Sequence, residues 1–198
     1  YGASKCAARH IVKVYRESYD LYAVHGTLFN HEGTKRGEEF VTRKITKGVA
    51  RIKKALDEGK SFDPIELGNI YSKRDWSDSE DFVRGVWLML RQETPEDYVL
   101  ASGETHTIKE FVDKAFKCAG ISGNWSEIEG EPTQTKYFNN SPEGQILIKI
   151  NPKFYRPAEV ELLLGDPTLA EKKLGWKRQI SFDMLIKKMV EFDLNEET

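Results

Sequence analysis

Little in this chain of 198 residues could cross-link it, anchor it in a membrane or charge it strongly. Cysteine is scarce: Cys6 and Cys118 are far apart and in no metal-ligand spacing. That argues against a disulfide framework and for a reducing compartment. Long hydrophobic runs are missing. No segment approaches the roughly 18 apolar residues of a membrane-spanning helix, and no signal peptide is visible. Charge of one sign is missing too. Lys+Arg 30 against Asp+Glu 32 leaves a net charge of −2. The chain therefore has no global field to draw in nucleic acid or an anionic membrane. What is present is 39% hydrophobic residues, enough for a core. The basic cluster at 51–54 reads as the solvated face of a helix.

Periodicity organises the rest. Ala3, Ala7, His10, Ile11, Val14, Tyr15 and Ser18 recur at helical spacing, which predicts a helix over 2–18. Residues 21–29 read as a strand and 30–37 as a polar loop. Val41, Ile45, Val49, Ile52 and Leu56 mark the buried stripe of a longer helix that Gly59 ends. Asp78 is placed to cap a helix with Val83, Val86, Trp87 and Leu90 inward. Thr107 and Glu110 form a capping box ahead of Ile108, Phe111, Val112, Ala115 and Phe116. Residues 97–101 and 145–150 are candidate strands, and 120–145 read as a long mobile loop. A last helix from Ser181 buries Phe182, Leu185, Ile186, Met189 and Val190. Strand–helix alternation comes early and smaller mixed pieces follow. The fold class expected is α/β, the back end of a parallel sheet plus a smaller domain.

Tyr1 and Lys5 stand one helical turn apart, on one face. For a tyrosine to act as a base near neutrality, its phenolate needs about 4 kcal/mol of preferential stabilisation. One cation at ~4 Å in an effective dielectric of ~20 supplies about that. The pair alone is a weak motif, since chance yields such spacings in a chain rich in Lys and Tyr. Small neighbours Gly2, Ala3 and Ser4 leave room for a ligand.

More specific strings follow: Leu28-Phe-Asn-His-Glu32, Lys35-Arg-Gly37, Phe40-Val-Thr-Arg-Lys-Ile45, Leu67-Gly-Asn69, Lys73-Arg-Asp-Trp76, Ala101-Ser-Gly-Glu104, Tyr155-Arg-Pro-Ala-Glu159 and Leu174-Gly-Trp176. Together with Tyr1–Lys5 they resemble the GDP-mannose 4,6-dehydratases, extended short-chain dehydrogenases/reductases, over nearly the whole chain. The sequence departs from that family at Lys35, at Ser77-Asp-Ser-Glu80, at a lengthened 56–64 segment, and at Leu169 and Arg178.

The resemblance implies the C-terminal part of a Rossmann-type doubly wound sheet plus a smaller nucleotide-sugar-binding domain. Residues 1–60 would belong to the NADP-binding domain and 61–198 mainly to the substrate domain, with some crossing back. It implies Tyr1 and Lys5 as the catalytic couple, both also touching NADP, with His31 and Arg36 as further cofactor contacts. Asn30, Lys44, Arg74, Arg156 and Glu159 would bind the GDP-sugar. An arginine suits a phosphate through its bidentate fork. Trp76 and Trp87 are expected in the core, His10 and His106 in structural or exposed places. The reaction implied converts GDP-mannose to GDP-4-keto-6-deoxymannose plus water, in a cytoplasmic homodimer or homotetramer. The family's elimination carboxylate and glycine-rich loop lie upstream of the tyrosine, so the 198 residues alone are expected to be an inactive fragment. A sibling nucleotide-sugar reductase or epimerase, or a non-catalytic GDP-sugar-binding module, is the alternative.

Overall fold

A computed structural model describes residues 1–142, 144–155 and 160–197. Along the chain run α1 (Gly2–Tyr19), β1 (Gly26–Leu28), β2 (Asn30–Glu32), α2 (Val41–Asp57), β3 (Ile65–Leu67), β4 (Lys73–Arg74), β5 (Trp76–Asp78), α3 (Ser79–Met89) and β6 (Tyr98–Leu100). Then come β7 (His106–Thr107), α4 (Ile108–Cys118), β8 (Gly123–Ser126), β9 (Lys136–Asn139), β10 (Ile146–Ile150), α5 (Thr168–Leu174) and α6 (Phe182–Glu197). The class is α/β, as expected. No helix among the described residues is long and apolar enough to cross a membrane.

The chain packs as two compact units, each drawn from three separate stretches. The first comprises Tyr1–His31, Asp75–Glu104 and Leu164–Ile180. Here β1 and β6 pair in parallel, Gly26 opposite Tyr98 and Leu28 opposite Leu100. Its core gathers Phe82, Met89, Tyr98, Leu100, Ala170 and Trp176. Asp81 is buried and ties α3 to the segment after α5. Its carboxylate accepts the Gln179 N–H at 3.1 Å and the Ile180 N–H at 3.0 Å, and the Trp176 indole donates to its carbonyl at 2.8 Å.

The second unit comprises Glu32–Arg74, Thr105–Leu163 and Ser181–Thr198. Its sheet has the order β3-β10-β9-β8, with β10 parallel to β3 and antiparallel to β9. Helices α2, α4 and α6 pack together. The inward residues read from the sequence on α4 and α6 are all buried. Arg43 on α2 meets Asp193 on α6 at 2.8 Å, both buried, and reaches Glu196 at 3.2 Å. Residues 32–60 pack in this unit.

Several readings change. Helix α1 forms, but none of its residues is buried, so its apolar stripe faces solvent. The 21–29 strand shrinks to Gly26–Leu28, which pairs with β6. The loop at 30–37 begins with β2, which pairs with β5. Asp78 caps α3 through the Glu80 N–H at 2.8 Å, yet the buried face is Asp81, Phe82, Gly85 and Met89. Val83, Val86, Trp87 and Leu90 are exposed, so Trp87 is not a core residue, whereas Trp76 is. Two apolar stripes competed on α3. Gly85 decided between them: a Cβ there would stand 2.6 Å from Leu100 and 3.0 Å from the Trp176 indole. The expected loop at 120–145 instead holds β8 and β9, paired antiparallel, with Tyr137 buried between Trp125 and Phe116.

Candidate functional site

In the first unit, Tyr1 is the N-cap of α1 and Lys5 lies one turn on, its N–H donating to the Tyr1 carbonyl at 3.1 Å. The Lys5 ammonium stands 5.3 Å from the centre of the Tyr1 ring. The tyrosine is 94% exposed. Helix spacing alone therefore assembles the couple, with no packing to fix its orientation.

Asn30 and His31 follow β1 and open β2, just beyond the carboxyl end of a parallel strand. In open α/β sheets that is where ligands bind. Both are half-buried. His31 Nδ1 lies 2.8 Å from the Phe29 carbonyl, and its ring is 5.3 Å from that of Phe82. A carbonyl only accepts, so Nδ1 carries the proton, and Nε2 is the acceptor of the neutral ring.

In the second unit, the Arg36 guanidinium carbon stands 3.5 Å from the centre of the Phe40 ring, with Nε 3.2 Å from Glu32. Glu32 is itself held by the Thr42 hydroxyl at 2.6 Å. The guanidinium thus sits between the ring and the carboxylate. Lys44, on the first turns of α2, is half-buried, with its ammonium 4.1 Å above the centre of the Phe154 ring. Burial pushes its amine below the usual lysine range, and the charge of Glu66 works against that. No ion pair engages Lys44 among the described residues.

Lys44 opens onto a cavity of about 470 Å³, which Lys47, Arg51, Ile65, Glu66 and Phe154 also line. Gly48 lines it, and Gly68 packs against Phe154. A Cβ on Gly48 would stand 2.5 Å from Ile65, so α2 lies close against β3. A Cβ on Gly68 would stand 2.6 Å from the Phe154 carbonyl. Lys47 is bound to Glu38 at 2.5 Å, and Arg51 donates to the Asp63 carbonyl at 2.8 Å. Glu66 takes Lys149 and Asn151, both at 2.7 Å, which hold its carboxyl below the usual range. Lys44 is thus a half-buried cation that can accept an anion in the cavity.

Arg74 sits on β4, opposite His106 of β7. Its Nη1 donates to the Val160 carbonyl at 2.6 Å and to the Lys73 carbonyl at 2.9 Å. Lys73 is braced by Glu161 and Leu163 through backbone bonds of 2.8 and 3.1 Å. Arg156 and Glu159 lie outside the described residues. The structure thus sets Tyr1 beside Lys5 and Asn30 beside His31 in the first unit, and Arg36, Lys44 and Arg74 in the second, the last three on separate segments. Phe154 under Lys44 escaped the sequence reading. Its place in the run leading to Tyr155-Arg-Pro was the available signal.

Comparison with known proteins adds a family. Residues 1–189 match the family model described as GDP-mannose 4,6 dehydratase. The GDP-mannose 4,6 dehydratase of Dictyostelium discoideum is 47% identical over 194 residues, 98% of this chain and 52% of that protein. The Homo sapiens protein of the same name is 44% identical over 195 residues, 98% of this chain and 50% of its own length. The chain thus spans about half the length of these curated relatives. Among solved structures, RMD from Pseudomonas aeruginosa complexed with NADPH superposes with a TM-score of 0.76 at 18% identity, covering 98% of this chain and 56% of that one. A dTDP-glucose 4,6-dehydratase from Bacillus anthracis in complex with NAD gives 0.72 at 16%, covering 100% of this chain and 52% of that one. At such identities the likeness speaks for the fold.

Proposed function

Because the chain belongs to the GDP-mannose 4,6-dehydratase family, we propose that it is the portion of such an enzyme that carries the Tyr–Lys couple and the nucleotide-sugar contacts. The reaction is conversion of GDP-mannose to GDP-4-keto-6-deoxymannose and water. The observation that carries this reading is the family match over residues 1–189, which begins at the Tyr1–Lys5 couple.

The chain's own residues take definite parts. The Tyr1 oxygen accepts the proton of the sugar C4 hydroxyl, with the Lys5 ammonium one turn along the same helix. Asn30 hydrogen-bonds the nucleotide-sugar. Lys44 and Arg74 hold the diphosphate, and Arg156 and Glu159 complete the nucleotide contacts. When bound, NADP accepts and returns the hydride. The residues present suit one end of it. The fork of Arg36, over the Phe40 ring, suits a 2′-phosphate, and His31 and Lys5 offer polar groups to the cofactor. The sequence has no G-x-G, so a pyrophosphate cradle of that type is not among these residues. The elimination carboxylate is likewise assigned to the part of the relatives' length that this chain does not span. The 198 residues alone therefore bind nucleotide-sugar without turning it over. The complete enzyme is read as a cytoplasmic homodimer or homotetramer.

Calorimetric titration of the chain with GDP and GDP-mannose tests the reading. Binding without release of the keto-sugar is expected. Lys44→Ala and Arg74→Ala should each weaken GDP by about tenfold, as loss of a charge-assisted hydrogen bond does. No GDP affinity in the wild-type chain, or turnover by it, would sink the proposal.

A further inference from the structure

Asp75 has no part in the chemistry above, yet it is completely buried. No ion pair engages it among the described residues. Three backbone N–H groups converge on it instead: Ser102 at 2.7 Å on one oxygen, Gly103 at 3.2 Å and Gly165 at 3.1 Å on the other. A buried carboxylate without a cation is tolerable only with such donors. Gly103 has φ of +76°, the left-handed conformation in which successive N–H groups can turn toward one anion. All three donors lie in loops of the first unit, two of them directly after β6.

The contact with Gly165 leads to the site. A Cβ at Gly165 would lie 2.2 Å from the Ala101 Cβ and 2.9 Å from the Phe29 ring, so this backbone is wedged against Phe29. The Phe29 N–H donates to the Leu100 carbonyl at 3.0 Å, and the Phe29 carbonyl accepts from His31. Asp75 to Gly165, Gly165 to Phe29, and Phe29 to its neighbour Asn30 is a continuous mechanical path. We infer that Asp75 is a positioning residue, which sets Asn30 and His31 at the carboxyl end of β1 for the nucleotide-sugar. The inference rests on the substrate reading above.

A double-mutant cycle tests it, read as GDP-mannose affinity of the full chain by calorimetry. Asp75→Asn keeps the shape but points an NH₂ at an N–H donor. It should weaken binding by about tenfold, as should Asn30→Ala. The double variant should be no more than about twofold weaker than either single one, because both losses run through Asn30. A merely structural Asp75 predicts otherwise. An Asp75→Asn chain that keeps its near-ultraviolet circular dichroism and binds like wild type overturns the inference, as do losses that multiply. If Asp75→Asn does not fold, Phe29→Leu takes its place in the cycle. It leaves the three N–H contacts of Asp75 in place and removes the ring from Gly165, and the same coupling is expected; wild-type affinity there overturns the inference. A wild-type chain with no GDP-mannose affinity overturns the substrate reading as well.

Discussion

Helix α2 buries eight residues between Thr42 and Ile52, whereas α1, of nearly the same length, buries none. Both carry an apolar stripe at helical spacing. The difference is what each can lean on. In the second unit α2 has β3, α4 and α6 beside it. In the first unit α1 is tied mainly through Arg16, which donates to Asp97 at 2.7 Å and to the Ala23 carbonyl at 3.0 Å. The exposed face of α3 and the β1 strand, with β6 as its one partner among the described residues, repeat the pattern. Parallel strands are ordinarily covered on both faces and both sides. An amphipathic sequence specifies a helix and the face it would bury; burial itself needs a second surface.

Substitutions can break this contrast, or sharpen it. Phe111→Ala empties a fully buried site in the second unit and should cost about 4 kcal/mol in urea unfolding of the chain. A loss under about 1 kcal/mol would show that this core is not the stable part. Asp193→Ala strands the buried Arg43 and should cost about 3 kcal/mol. Tolerance of that change would mean Glu196 suffices as partner. Thr107→Ala dismantles the capping box, in which Glu110 N–H donates to Thr107 at 3.0 Å and Thr107 N–H to Glu110 at 2.7 Å, for about 1 kcal/mol. Tyr15→Ala, on the uncovered stripe of α1, should stay within about 0.5 kcal/mol. A large loss there would show that something covers α1 in solution.

The smallest effect is one of pH. Burial raises the Asp113 carboxyl above its usual range, against the hydrogen bond from the Trp125 indole and the charge of Lys109. The folded state then holds the proton more tightly than the unfolded one, so this group's contribution falls as pH rises from the usual carboxylate value through the raised one. Asp113→Asn lacks that fall. Its urea midpoint should gain on wild type between pH 4 and pH 7, and parallel midpoints would discount the burial.

Local signals made much of this legible. On α4 the cap and all five inward residues could be read because they lie within one short segment. The Tyr1–Lys5 couple was legible for the same reason. Non-local contacts set the rest. Nothing near Asp81 announces that residues 179 and 180 will meet its carboxylate. Polar composition at 120–145 concealed a hairpin whose anchors, Trp125 and Tyr137, pack on α4. Phe154 reaches Lys44 from far along the chain, and so does Gly165 reach Asp75.

The packing of α2 on α6 also sets a timetable. The Arg43–Asp193 contact joins residues 150 apart in the sequence, and α6 is made after α2, β3 and α4. Roughly 125 residues must be added after α2 before its partner exists, which takes on the order of 6–25 s at ordinary rates of synthesis. β3 and α4 come earlier, so in that interval α2 lacks only the cover that α6 provides. The second unit therefore completes its packing only once α6 has been made.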